Sequence, residues 1–318
     1  MYDFIIVGAG IYGKIIAFLL HNQGFKTLLL EKKNINKIKL ENIVITNSTY
    51  SKLSRLLNID LNKFINKKID KIYLNEVKIN TNNIVLNLKK LELHLIELYK
   101  KNKGKLIDKV KIEKYDYKNN QLIILNKKYK YNNLIAADGT LSEVRLNLTQ
   151  KIQKFKFVML VKNKKIKKEF IFNYNKNYKT LEKIVPTRGS NLITISNHKT
   201  KNKIFRNYEE IKQQYNYMNT SKTGYFIPDN DLLFKIKNIY FIGDASGMID
   251  PLTNTSVKYN LMYIESLLGY FIDNKIINYK KINRDIIFRK IIKHGLYFPL
   301  INKLMLKIVI KKYKEDLC

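Results

Sequence analysis

The sequence predicts a three-layer α/β domain interrupted by a mainly antiparallel sheet and followed by C-terminal helices. Three observations predict it. A glycine-rich turn follows the first apolar run, two later apolar runs end in small-residue motifs containing an aspartate, and the stretch between those two is a series of strand-like segments.

The first element, Phe4–Val7, is an apolar strand running into Gly8-Ala9-Gly10-Ile11-Tyr12-Gly13. Gly8 permits the tight turn, Gly10 lets a diphosphate approach the backbone, and Gly13 lets the following helix pack closely on the strand. Ala17 keeps that helix slim, Gly24 turns the chain, and Leu28–Leu30 forms a second strand closed by Glu31 and Lys32. Together these make a Rossmann-like βαβ unit whose helix N-terminus favours a negatively charged group. Glu31 is placed to accept both ribose hydroxyls of an adenosine. An acid there repels a 2′-phosphate, which selects FAD or NAD over NADP.

Ile43–Ile45 and Ile72–Leu74 read as short strands inside a lysine- and asparagine-rich stretch. Leu88–Lys101 reads as a helix with Leu91, Leu95 and Leu98 on one face, stopped by Gly104. Alternating runs at Lys109–Tyr115, Gln121–Leu125 and Lys128–Tyr131 suggest a meander leading into the apolar strand Leu134–Ala137. Phe155–Val161, Glu169–Tyr174, Leu181–Val185 and Leu192–Ser196 are strand-like, and a polar helix follows at about Tyr208–Tyr217. Ile239–Ile242 is a further apolar strand, and from Asn254 onward the pattern is helical. The expected division is a discontinuous nucleotide domain (1–150 and 236–275), an inserted substrate sheet (151–235) and a C-terminal helical tail (276–318).

Composition narrows the class. With 318 residues, 45% of them hydrophobic, the chain can bury a substantial core. Cys318 is the single cysteine, so a disulfide framework, a Cys-x-x-Cys redox pair and a thiolate metal site are excluded. The first strand opens near residue 3, leaving no room for a signal peptide, and no uncharged apolar run reaches the roughly 20 residues of a membrane span. A reducing cytoplasm is the expected compartment.

The net charge of +34 comes from 54 lysines and six arginines spread along the whole chain. Nucleic-acid readers lean on arginine forks and gather their charge, so this distribution argues against a nucleic-acid partner. Such a field still attracts anions, acidic lipid surfaces included. In the tail, Leu300, Ile301, Leu304, Met305, Ile308 and Val309 are interspersed with Lys303, Lys307, Lys311 and Lys312. This segment either lies on an anionic membrane surface or packs on the core with a lysine outer face. His21, His94, His198 and His294 are isolated, without metal-ligand spacing. The sequence holds no Gly-x-Ser-x-Gly elbow, no Walker-type loop and no second Gly-x-Gly-x-x-Gly for a separate NAD(P)H domain.

Three strand ends therefore carry small-residue motifs that can converge on one ligand, since open α/β sheets bind ligands beyond the carboxyl ends of their strands. The second reads Ala137-Asp138-Gly139-Thr140-Leu141-Ser142-Glu143-Val144-Arg145, and the third Ile242-Gly243-Asp244-Ala245-Ser246-Gly247-Met248-Ile249-Asp250-Pro251-Leu252-Thr253. In this order, and with Gly224-Tyr225-Phe226-Ile227-Pro228 upstream, they resemble the FAD enzymes that share the p-hydroxybenzoate hydroxylase fold. Within that group the chain is most similar to the geranylgeranyl reductase family. The resemblance implies that Asp244 hydrogen-bonds the ribityl or pyrophosphate portion of FAD, with the Ala245 backbone close by. It implies that Asp138 holds the motif meeting the pyrophosphate and the route of the reductant, and that Arg145 pins that loop or faces the phosphates.

The chain departs from the family in several places. Asn254-Thr255-Ser256-Val257 stands where the family has Gly-Glu-Gly-Ile beside flavin N1 and O2. Backbone N–H groups and a helix N-terminus survive such a change, while the added side chains crowd the ring. Leu181–Pro186 keeps only the proline and apolar spacing of the family's substrate segment. Lys89 or Lys90 replaces the arginine expected before the middle helix, and Lys14 either faces a phosphate or is solvated.

The candidate cofactor contacts are thus Gly8, Gly10, Ile11, Tyr12, Gly13, Glu31, Lys32, Asp138, Gly139, Gly243, Asp244, Ala245, Pro251, Asn254, Thr255 and Ser256. The implied activity is FAD-dependent reduction or dehydrogenation of a hydrophobic, isoprenoid-like small molecule, with NAD(P)H or a redox protein as electron donor. Aromatic hydroxylation with oxygen, and a degenerate flavin-binding protein without turnover, are the alternatives. No residue identifies itself as the proton donor.

Overall fold

The computed structural model describes residues 1–318 except 37–41, 76, 164–168, 176–179, 188–189, 198–207, 211–212, 214–220, 230, 298–300, 314–315 and 318. Most of the helix expected at Tyr208–Tyr217, together with His198 and Cys318, lies outside the described residues. Among the described residues, two eight-stranded sheets organise the chain.

The first sheet runs β15 (Lys235–Ile236), β16 (Ile239–Phe241), β9 (Lys127–Ala136), β1 (Tyr2–Val7), β2 (Thr27–Leu30) and β6 (Lys105–Ile107). Every pairing from β16 to β6 is parallel. Parallel strands are buried on both faces, which is why these segments are nearly unbroken apolar runs. On one face Phe4, Ile6, Leu29 and Ile135 pack under α1 (Ile11–Asn22) and α3 (Leu88–Lys101). On the other, Ile5, Val7, Leu28 and Leu134 meet the antiparallel ribbon of β7 (Lys114–Asp116), β8 (Gln121–Ile124) and β9. Helices, parallel sheet and meander are the three expected layers.

The second sheet runs β14 (Ser221–Pro228), β10 (Phe155–Asn163), β13 (Ser190–Asn197), β12 (Thr180–Thr187), β11 (Phe170–Asn175), β4 (Ile65–Leu74), β5 (Val77–Asn87) and β3 (Asn42–Ile45). It is antiparallel apart from the β11–β4 pair. Its strands do not respect a division at residue 150: the segment 42–87 pairs here, not in the first sheet. The helical tail is likewise no appendage. Ile292 and Leu296 of α6 (Tyr279–Leu296), with Val309 and Tyr313 of α7 (Asn302–Tyr313), cover Ile72 and Leu74 of β4 and Phe170 and Phe172 of β11 in one cluster. Burying those four side chains under a common roof is what draws β4 to β11.

Residues 77–87 gave no strand signal because Asn80, Asn82, Asn83 and Asn87 are poor strand formers. Pairing with β4 on one side and β3 on the other overrides that preference. The helix α2 (Asn47–Leu57) was equally hidden, since Leu53 and Leu57 are its only buried leucines. By contrast α3 spans the expected Leu88–Lys101, capped by Asn87, whose side chain accepts the Lys90 N–H.

Candidate functional site

Register places four strand ends level. Val7 of β1 pairs with Leu30 of β2 and with Ala136 of β9, and Ala136 pairs with Phe241 of β16. The residues that follow, Gly8, Glu31, Ala137–Gly139 and Ile242–Asp244, therefore emerge along one edge. Between them lies a cleft of about 330 Å³, within the size range of small-ligand sites. Gly8, Gly10, Ile11, Glu31, Lys32, Asp138, Gly139 and Asp244 line it.

The glycines divide into two kinds. A Cβ on Gly8 would stand 2.4 Å from the Ala137 carbonyl oxygen, and one on Gly13 would stand 1.9 Å from the Gly8 oxygen. Both serve close packing. A Cβ on Gly10 would meet nothing within 4 Å. Its bareness opens space at the helix N-terminus, where the cap position makes no side-chain bond and the first turn holds no acid.

Glu31 is held at the cleft mouth by two backbone donors. Ala9 N–H donates to its Oε2 at 2.8 Å and Lys33 N–H to its Oε1 at 2.9 Å. Lys32 lies at the surface with its Nζ 3.2 Å from Glu143. Asp138 accepts the Val144 N–H through Oδ2 at 3.2 Å, at the start of α4 (Glu143–Thr149), while its enclosed Oδ1 has no partner. Burial pushes the Asp138 carboxyl above its ordinary range. Asp244 accepts the Thr140 hydroxyl at 3.3 Å, and its carbonyl accepts Gln153 Nε2 at 2.8 Å.

Arg145 pins the loops. Its guanidinium donates to Gln153 Oε1 at 2.5 Å, to the carbonyls of Asp231 at 2.8 Å and Ala245 at 3.2 Å, and pairs with the Asp231 carboxylate at 3.0 Å. Of the two roles the resemblance offered Arg145, the structure gives the first.

Lys14 is not solvated. It is 2% exposed and lines the cleft while pairing with Glu92 of α3, whose carboxyl burial raises and Lys14 lowers, with burial prevailing. Lys89 and Lys90 are exposed and stand outside the cleft lining, so neither takes the place of the missing arginine; Leu88 and Glu92 of that helix line the cleft instead.

The other expected residues sit beneath or beside the cleft. Gly243 rests on the Tyr12 ring, Ala245 and Pro251 are buried, and Tyr12 Oη lies 2.9 Å from Ser256 Oγ. The added side chains of the 254–256 segment have partners within the protein. Asn254 Oδ1 accepts from the buried Lys293 at 3.3 Å, Thr255 Oγ1 lies 2.8 Å from Thr253 Oγ1, and Ser256 holds Tyr12. A helix does begin here, α5 (Val257–Asp273), with no side-chain cap and no acid in its first turn.

Sequence reasoning missed what clamps this segment. Asp250 Oδ2 pairs with Arg289 at 2.9 Å, and Tyr174 donates to the Leu252 carbonyl at 2.6 Å. One signal could have found Arg289: in a chain of 54 lysines, a retained arginine marks a site that needs a planar fork.

No family model matches the chain, and no curated protein matches it. Solved structures do. A geranylgeranyl bacteriochlorophyll reductase-like protein from Thermoplasma acidophilum is 16% identical with a TM-score of 0.75, over 98% of this chain and 96% of that one. The probable FAD-dependent monooxygenase pqsL from Pseudomonas aeruginosa is 14% identical, also with a TM-score of 0.75, over 98% of this chain and 100% of its own. A variant of the halogenase PltM in complex with FAD is 12% identical with a TM-score of 0.68, over 96% and 83%. At such identities the likeness speaks for architecture alone: the chain has the p-hydroxybenzoate hydroxylase-like flavoprotein fold.

Proposed function

We propose that this chain binds FAD in the cleft and is a FAD-dependent oxidoreductase of a small hydrophobic molecule, with reduction or dehydrogenation as its reaction. One observation carries the reading: level strand ends bring the open Gly10, the backbone-held Glu31, Asp244 and an Asp138 oxygen without a partner to one cleft. The residues fit the parts of FAD. The N-terminus of α1, over Gly10, suits the diphosphate. Glu31 keeps acceptor capacity beyond the two N–H groups it holds, enough for ribose hydroxyls. Asp138 and Asp244 would supply carboxylate acceptors for hydroxyl groups of the bound cofactor. The start of α5 favours negative charge beside residues 254–256, where the resemblance puts flavin N1 and O2.

Bound FAD supplies two-electron redox chemistry; the chain supplies placement and electrostatics. The monooxygenase reading is kept by one specific finding, the equal TM-score of 0.75 to a reductase-like protein and to a monooxygenase. Oxygen uptake coupled to a hydroxylated product selects it; a hydrogenated or dehydrogenated product without oxygen uptake selects the reductase or dehydrogenase.

The first test is optical. Purified protein should absorb in the visible and release FAD on acid extraction. Gly10→Val and Asp244→Leu should lose at least about tenfold in FAD affinity while keeping the far-ultraviolet circular dichroism of the parent, because Gly10 has room for a side chain. Protein that stays colourless after incubation with FAD, or variants with unchanged flavin content, would overturn the assignment.

A further inference from the structure

We propose that the outer face of the C-terminal helix pair docks on an anionic lipid bilayer. Among the described residues, large exposed apolar side chains gather here. The helix α6 buries Ile282, Ile286, Ile292 and Leu296, yet Ile287, Phe288 and Ile291, one turn apart on its other side, are 52%, 43% and 63% exposed. Ile301, just before α7, and Leu304, in its first turn, are 41% and 56% exposed. The two helices present these residues together: Lys312 Nζ lies 4.4 Å from the Phe288 ring, and Gly295 packs against Met305 and Ile301.

Charge decides what covers this face. Lys303, Lys307, Lys311 and Lys312 are exposed on α7, and Lys280, Lys281 and Arg284 on α6. Between Lys275 and Tyr313 the single acid is Asp285, and it is bound to Arg289 and to the Tyr259 hydroxyl. A second copy of the same face would set lysine against lysine. An anionic bilayer instead offers phosphate to the lysines and acyl chains to Ile287, Phe288 and Ile291. No described helix is long and apolar enough to cross a membrane, so the contact is superficial.

The chain has no tryptophan, so Phe288→Trp installs a single reporter. Its emission should shift to shorter wavelength on adding phosphatidylglycerol–phosphatidylcholine vesicles and stay unchanged with phosphatidylcholine alone. Leu125→Trp, in the β8–β9 turn, should not respond. In the otherwise native full chain, replacing Lys303, Lys307 and Lys311 by glutamine should lower partition into the anionic vesicles about a hundredfold, as should raising salt well above about 0.1 M. Ile287→Ser with Ile291→Ser should lower it about tenfold, with parental circular dichroism. Absent vesicle binding, equal binding to neutral vesicles, or a reporter at position 288 that stays water-exposed in bound protein would each overturn the proposal. So would a dimer in light scattering that Ile291→Ser dissolves, because the occupant would then be a second copy. Vesicle binding needs no flavin, so this inference and the proposed activity stand or fall separately.

Discussion

At the edge of the parallel sheet, Asp138 keeps an enclosed oxygen without a partner and Gly10 leaves backbone bare. Under the antiparallel sheet, Arg289 divides its guanidinium among Asp250, Asp285 and Asp316, with the Tyr313 ring 4.1 Å from its centre. The first region is built incomplete, with bare backbone and an acid whose enclosed oxygen has no partner beside one cleft. The second is closed on itself, because a buried cation is tolerated only when it is paired. An unmet polar group beside a cleft thus sets the strand edge apart from the second core, where polar groups bolt two parts of the fold together.

The largest test of that contrast sets Gly13 against Gly10. Gly13→Ala drives a Cβ to 1.9 Å from the Gly8 oxygen and should destabilise by about 4 kcal/mol or more, leaving little folded protein. If urea unfolding shows Gly13→Ala as stable as a Gly10 variant, the division of glycines is wrong.

Next comes Arg289→Met. It strands three carboxylates near one another and should remove about 3–5 kcal/mol, read by the urea midpoint. A loss below about 1 kcal/mol would mean the bolt holds nothing.

The smallest effect sharpens the comparison by its sign with pH. Burial raises the Asp138 carboxyl, so the native state binds its proton more readily than the unfolded chain. Asp138 therefore lowers stability as pH rises from its unfolded value, near 3.9, through its raised native one. Asp138→Asn should stabilise the unliganded protein by about 1 kcal/mol at pH 7, and the gain should vanish near pH 3. Asp316 behaves oppositely. Burial acts to raise it, but Lys258 and Arg289 outweigh that and hold it low. Its contribution is present above the unfolded value and is lost as pH falls through the native one, so Asp316→Asn should destabilise at pH 7 and become neutral in strong acid. Equal signs for the two variants at pH 7 would erase the distinction.

The parts of the site that could be read in advance are those governed by backbone geometry. Gly8 and Gly13 stand where they do because a tight turn and a helix contact each exclude a side chain, whereas Gly10 leaves the backbone bare at the helix N-terminus. Glu31 and the Asp138 and Asp244 motifs were legible for a related reason, each lying immediately after an apolar strand. Lys14 was not. Its partner Glu92 is 78 residues away, and a lysine in a helix's first turn looks like any solvated lysine until α3 is laid against α1. The same holds for Arg289 and Asp250, 39 residues apart.

The sequence by itself determined the candidate-site edge of the first sheet: four short signals, each local, each set by sterics or by the end of a strand. Only the tertiary structure decided how the second sheet is assembled and closed. Residues 42–87 join it, and the C-terminal helices roof it, because apolar faces on β4, β11, α6 and α7 find burial only in each other. That matching depends on distant surfaces meeting, and no local pattern along the chain records it.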